Sequence, residues 1–356
     1  MRAFFKKLCV VFLLLLVFPG SVIVLNAYVD TFNVFHWKKI RFTSAEPNKN
    51  FIKTKYVLEN PDRFNAFVFG SSRAGMLPVD TLPAELNGSE LRWYNMSYSE
   101  GIPSEHVETL RTFLNHGVDV KIVVVAFDCM MMYLDEEAHR KQLMRMSYGQ
   151  YEKSPLGFYK KYLLSLPDKS IVSQIMRYEP QLHEDSVDVF YKYGVNSVDM
   201  GLSSDCDPER YKPVNFDYTM KDSWKGICDL YDLCAANHTQ ILFITNPVYE
   251  SNYRYAAAHG YFDMLQKIGE RCKFYNFSCL NKISTDMKYY FEASHYRPIV
   301  GLTVEKILFS DDEDEKRRIR EQVALNDGDC ELFGMKVDSS NVSDVIEKLK
   351  NQLRNN

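Results

Sequence analysis

Phe64-Asn-Ala-Phe-Val-Phe-Gly-Ser-Ser-Arg73 is a short apolar run that breaks off at a glycine into two hydroxyls and a guanidinium. Phe64, Phe67, Val68 and Phe69 give it the composition of a strand buried on both faces of a parallel sheet. Its polar groups begin where such a strand reaches its carboxyl end, the edge at which open α/β sheets collect ligands and chemistry. Gly70 permits backbone angles and close approaches that a Cβ forbids, so Ser71 and Ser72 are expected on a tight strand-to-helix connection. Either hydroxyl is a candidate nucleophile there.

A serine hydroxyl is a weak nucleophile at neutral pH and needs a base. Tyr290-Phe-Glu-Ala-Ser-His-Tyr-Arg297 offers the best one. Glu292 stands three residues before His295, a spacing at which a carboxylate orients the imidazole while the other ring nitrogen faces the serine. Glu136 and His139 share the spacing, but in a charged helical stretch where an exposed side-chain pair is expected. His106, His116 and His238 fall in helical or helix-end patterns. Together the two stretches resemble the SGNH (GDSL-like) hydrolase superfamily: Gly70-Ser71-Ser72-Arg73 is similar to its first block in a Gly-Ser-Ser variant, and Glu292-x-x-His295 to its last. The resemblance implies an α/β three-layer sandwich with a central parallel sheet of SGNH or flavodoxin-like type. It also implies Ser72 as nucleophile, His295 as general base and then acid, and Glu292 as orienter where the family usually has aspartate.

Between the two blocks the rhythm is that of an α/β domain. Leu91 to Met96 reads as a short second strand, and the segment to Gly101 resembles the second SGNH block, where a backbone amide helps to bind an oxyanion; Asn95 and Gly101 are candidates there. Val107, Leu110 and Leu114 are spaced for a helix opened by Pro103. Ile122-Val-Val-Val-Ala-Phe127 is a buried strand by its β-branched composition. Asp128 follows it where many SGNH enzymes carry Gly-x-Asn-Asp, and a carboxylate cannot simply replace the missing amide donor. A helix over about Thr219 to Asn237, a strand over Ile241–Thr245, a helix from Tyr253 to Cys272 and a last strand over Lys273–Phe277 continue the pattern. Asn246 follows the Ile241 strand as a further substrate-binding or turn-capping candidate. Ser71 is expected to offer structural hydrogen bonds and its amide. Arg73 reads either as a fork for a substrate carboxylate or phosphate, or as a salt bridge to an acid such as Asp128.

The 356 residues suffice for one large or two small domains, and a 46% hydrophobic content fills a core. With 43 basic and 47 acidic residues the net charge is -4, which gives no footing for a nucleic-acid partner. Arg2, Lys6 and Lys7 precede an apolar stretch over residues 8–28, long enough for a span of roughly 20 residues. The small residue that a signal-peptide cleavage site needs is missing before Ala27, where Leu25 stands, so an uncleaved anchor is expected, with the body outside the cytoplasm. The cysteines have no zinc-type spacing, and neither metal nor other cofactor is called for.

The chain therefore divides into an anchor (1–29), a loosely structured connector (30–63), a catalytic region (64–310) with an insertion at about 130–218, and a charged linker with a helical cover (311–356). The insertion's tyrosines and methionines would suit a sugar-binding or lipid-facing surface, and ordinary packing accounts for them equally. Resemblance to membrane-anchored SGNH members, the DltD-like proteins among them, implies acyl esters of envelope or secreted polysaccharide as substrates, with water or a sugar hydroxyl as acceptor. A non-catalytic scaffold partnering a membrane O-acyltransferase is the alternative on the same fold.

Overall fold

The computed structural model describes residues 19–37, 46–127, 129, 136–165, 201–203, 206 and 220–355. They fall into two compact units, a smaller one from residues up to Lys55 with Glu137–Val187, and a larger one from Tyr56–Glu136 with Asp188–Asn356.

Parallel strands with buried, β-branched faces organise the larger unit. Its sheet contains β1 (Ala66–Gly70), β2 (Trp93–Asn95), β3 (Ile122–Phe127), β4 (Gln240–Thr245), β5 (Phe274–Asn276) and β6 (Met335–Val337), in the spatial order β2-β1-β3-β4-β5-β6. Every pairing is parallel except β5 with β6. From β1 the chain moves outward to β2 and then returns across β1 to β3, so the strand order switches between β1 and β3, the place where such sheets open a crevice. Register aligns the carboxyl ends there: Gly70 lies opposite Ala126, and Phe127 opposite Thr245. All eleven residues of β1 and β3 are buried.

The helices are α1 (Pro103–Asn115), α2 (Met220–Ala236), α3 (Glu250–Ala258), α4 (Tyr261–Arg271), α5 (Pro298–Phe309), α6 (Glu313–Val323) and α7 (Val342–Asn355). Three departures from the sequence reading have local causes. The helix expected from Tyr253 to Cys272 is broken in two at Gly260, whose φ of 92° lies in the left-handed region that glycine tolerates. Lys273–Phe277 does not hold the last strand, because Met335–Val337 adds an antiparallel edge to β5. The charged run from Asp311 is the start of α6, capped by Asp312 through the amides of Asp314 and Glu315.

In the smaller unit the expected loose connector carries a helix, Lys49–Glu59, which crosses the boundary between the units. Asn48, whose polarity interrupts the apolar pattern, is buried; its Oδ1 accepts from Phe51 N–H at 3.1 Å, and its Nδ2 donates to Met146 O and Tyr162 Oη at 2.8 Å each. Phe51, Phe158 and Tyr162 are buried and pack ring against ring in tilted pairs, which gives Phe158 and Tyr162 of the insertion a packing role. His139, expected on an exposed face, is buried. Residues 19–29 are helical, and among the described residues no helix is long and apolar enough to cross a membrane. Most of the expected span at 8–28 lies outside the described residues. No disulfide joins the described cysteines; burial pushes the thiols of Cys234, Cys272 and Cys279 up to about 12.

Candidate active site

At the end of β1 the backbone passes so close to its neighbours that only glycine fits. A Cβ on Gly70 would stand 2.5 Å from Ala126 O and 2.6 Å from the Cβ of Ala74. The chain then enters a short 3-10 turn, Ser72–Met76, whose cap is Ser71: its hydroxyl accepts from Arg73 N–H at 3.3 Å. Ser71 is buried, whereas Ser72 is half-buried. Ser72 opens the turn, so its own N–H has no acceptor within it.

Ser72 Oγ lies 2.6 Å from His295 Nε2, although 223 positions separate them. On the far side of the ring, His295 Nδ1 is 2.5 Å from Glu292 Oε1, and the same oxygen accepts from His295 backbone N–H at 2.7 Å. Nδ1–H donating to the carboxylate leaves Nε2 as the lone-pair nitrogen facing the hydroxyl, the arrangement that lets it take the serine proton. The glutamate's additional methylene is accommodated because its oxygen closes a small ring onto the amide three residues ahead. The carboxylate side chain is 7% exposed and the imidazole 23%, so the charge is sheltered while the ring stays within reach of a substrate.

Arg73 neither faces a substrate nor waits for one. It is buried, with Nε donating to Ser294 O at 2.6 Å and Nη2 to Ser294 Oγ at 2.7 Å. One turn of chain thus carries both Ser72 and the clamp for the loop that brings His295 to it. Asn252, on α3, holds the same loop by donating to Ala293 O at 2.5 Å. Asn246 is fully buried against it: its Oδ1 accepts from Tyr296 Oη at 3.2 Å and its carbonyl accepts from Ser278 Oγ at 2.5 Å, while its Nδ2 meets no acceptor among the described residues. Asn95 is likewise buried, its Nδ2 donating to Ala74 O at 2.8 Å and its Oδ1 accepting from Ser97 N–H at 2.9 Å, so it shapes the turn after Ser72. Gly101 N–H donates to Tyr98 O at 3.1 Å, and a Cβ there would meet Gly70 O at 2.6 Å; its place is to let two backbones touch. Asp128 lies outside the described residues.

The sequence reading missed Ser294 and Asn252. Ser294 sits inside the quoted block but has no pattern of its own, and Asn252 looks like any polar residue on a helix. Among the described residues no group of three or more His, Cys, Asp or Glu side chains is placed to hold a metal ion. What the arrangement can do is pass a proton from a serine hydroxyl to an imidazole braced by a carboxylate. No protein-family model matches the chain, and no curated protein does either, so this reading rests on the geometry and on the block resemblance.

Proposed function

We propose that the chain is an SGNH-like serine acyl-transfer enzyme, an esterase or O-acyltransferase acting on acyl esters of envelope or secreted polysaccharide and held at the cell membrane by its amino-terminal apolar segment. The observation that carries the reaction class is the continuous relay from Ser72 Oγ through His295 to Glu292, at 2.6 Å and 2.5 Å. Its position at the β1/β3 switch point supports the same reading.

The steps follow from the atoms in place. Ser72 Oγ attacks the ester carbonyl carbon as its proton passes to His295 Nε2, and Glu292 stabilises the imidazolium that forms. The tetrahedral adduct collapses with cleavage of the ester C–O bond, and Nε2 returns its proton to the leaving alkoxide. The acyl group is then on Ser72. Water or a sugar hydroxyl gives its proton to Nε2, attacks the acyl carbon and frees Ser72, which recovers a proton from the ring.

The test is labelling of the full-length chain with a serine-reactive fluorophosphonate. The expected result is labelling of the wild type above about pH 6 and none of Ser72→Ala. An unlabelled wild type between about pH 6 and 9 overturns the enzyme reading and leaves the scaffold, the alternative to which the missing asparagine of Ala126-Phe127-Asp128-Cys129 lends weight.

A further inference from the structure

Arg297 lies two residues beyond the proposed catalytic base and is 5% exposed. Its backbone N–H donates to Tyr289 O at 2.7 Å, and Tyr290 and Tyr296 form an antiparallel bridge just inside that bond. Side chains alternate on extended backbone, so Tyr290 and Tyr296 share one face while Tyr289, Phe291, His295 and Arg297 share the other. Burial agrees: both bridge tyrosines are fully enclosed, whereas Phe291 is 37% exposed. Arg297 therefore belongs to the face that carries His295, its Cα about 7 Å along the strand from that of His295. The Phe291 ring covers the guanidinium, with Cζ 4.4 Å from the ring centroid.

Arg73 and Arg297 are both buried guanidiniums beside the same loop, but only the first has acceptors. No donor of the Arg297 guanidinium meets an acceptor among the described residues, and its Nε is closed off from solvent. A guanidinium taken out of water without a counter-charge is costly, and its fork of parallel donors fits the paired oxygens of a carboxylate or phosphate. It is also the N-cap of α5, a 12-residue helix, and no side chain caps that end. The helix dipole favours negative charge at the same spot.

We propose that Arg297 recognises an anionic group, a carboxylate or phosphate, carried by the ester substrate. The inference rests on the acyl-transfer reading of Ser72 and His295, and it makes the substrate an acidic rather than a neutral acyl ester.

Three acetyl esters test it on the full-length chain: phenyl acetate, 4-acetoxybenzoate and 4-acetoxyphenyl phosphate. The wild type should favour at least one anionic ester over phenyl acetate by about 10- to 100-fold in kcat/KM, and which one tells carboxylate from phosphate. Arg297→Gln should bring that ratio close to one, and Arg297→Lys, a point charge with no fork, should recover only part of it. The same ratio in wild type and in Arg297→Gln overturns the proposal; should the glutamine variant fail to fold, an unaltered ratio in Arg297→Lys does so. A second arm needs no turnover. Ser72→Ala protein is titrated calorimetrically with the two anionic esters, with and without Arg297→Gln. A loss of affinity of about tenfold or more supports the anion site even if the wild type cleaves no ester, in which case only the acyl-transfer reading falls. Equal affinities overturn the anion site and leave the acyl-transfer reading standing.

Discussion

Glu305→Gln should remove a pH dependence that the wild-type fold carries. Glu305, on α5, is 4% exposed, and its Oε2 lies 2.6 Å from Thr81 Oγ1, which is itself 2.7 Å from Pro78 O. The Thr81 hydroxyl can donate to the carboxylate, which favours the ionised form, while burial opposes it. Burial, the largest cause, together with the nearby Asp80 outweighs the Thr81 bond and pushes the carboxyl up to about 8 from an ordinary 4.5. Between those values the folded chain binds more protons than the unfolded chain. This contribution to stability is therefore full below about pH 4.5, falls as pH rises, and levels off above about 8. At about 1.4 kcal/mol per unit, the total loss is at most about 5 kcal/mol. Glutamine keeps the shape and cannot ionise. Urea midpoints of wild type and Glu305→Gln, measured at about pH 5, 6.5 and 8.5, should lie within about 1 kcal/mol at the lowest pH and separate by about 2–5 kcal/mol at the highest, with the variant the more stable. A difference that does not change with pH across that window would falsify the protonated, buried state of Glu305.

Two further outcomes probe the relay itself. Glu292→Gln should lower ester turnover by about 10³- to 10⁴-fold with KM close to wild type, because an amide cannot stabilise the imidazolium; wild-type turnover in this variant, with Ser72→Ala dead, would reduce the site to a serine–histidine pair. Gly70→Ala places a methyl 2.5 Å from Ala126 O, so it should cost about 1–3 kcal/mol in a urea titration and slow fluorophosphonate labelling of Ser72. Full stability together with wild-type labelling would show that the β1 turn has slack that the geometry does not suggest.

The parts of this protein legible in its sequence are those fixed by neighbours along the chain. The apolar runs at Phe67–Phe69 and Ile122–Phe127 become central strands because each buries both faces, and Pro103–Asn115 becomes a helix because its spacing and its proline say so. Glu292 and His295 are three apart, so their contact is set almost locally, and the carboxylate also holds the amide of His295. Strand Met335–Val337 was not legible, since three residues extend there only because the edge of β5 offers backbone partners. Neither was the helix from Lys49, whose polar residues read as breaks until burial supplies Asn48 with acceptors from elsewhere in the chain.

The sequence by itself determined an α/β chain with a largely parallel sheet and named the serine, the histidine and the glutamate. Only the tertiary structure decided that Ser72 and His295 meet, because a contact across 223 positions depends on how the whole sheet closes and not on any local pattern. It decided, too, which arginine does what. Arg73 and Arg297 carry the same group, and side-chain chemistry cannot separate them. Position does: burial places Arg73 against the Ser294 carbonyl and hydroxyl, and leaves Arg297 beneath Phe291 with its donors unmet.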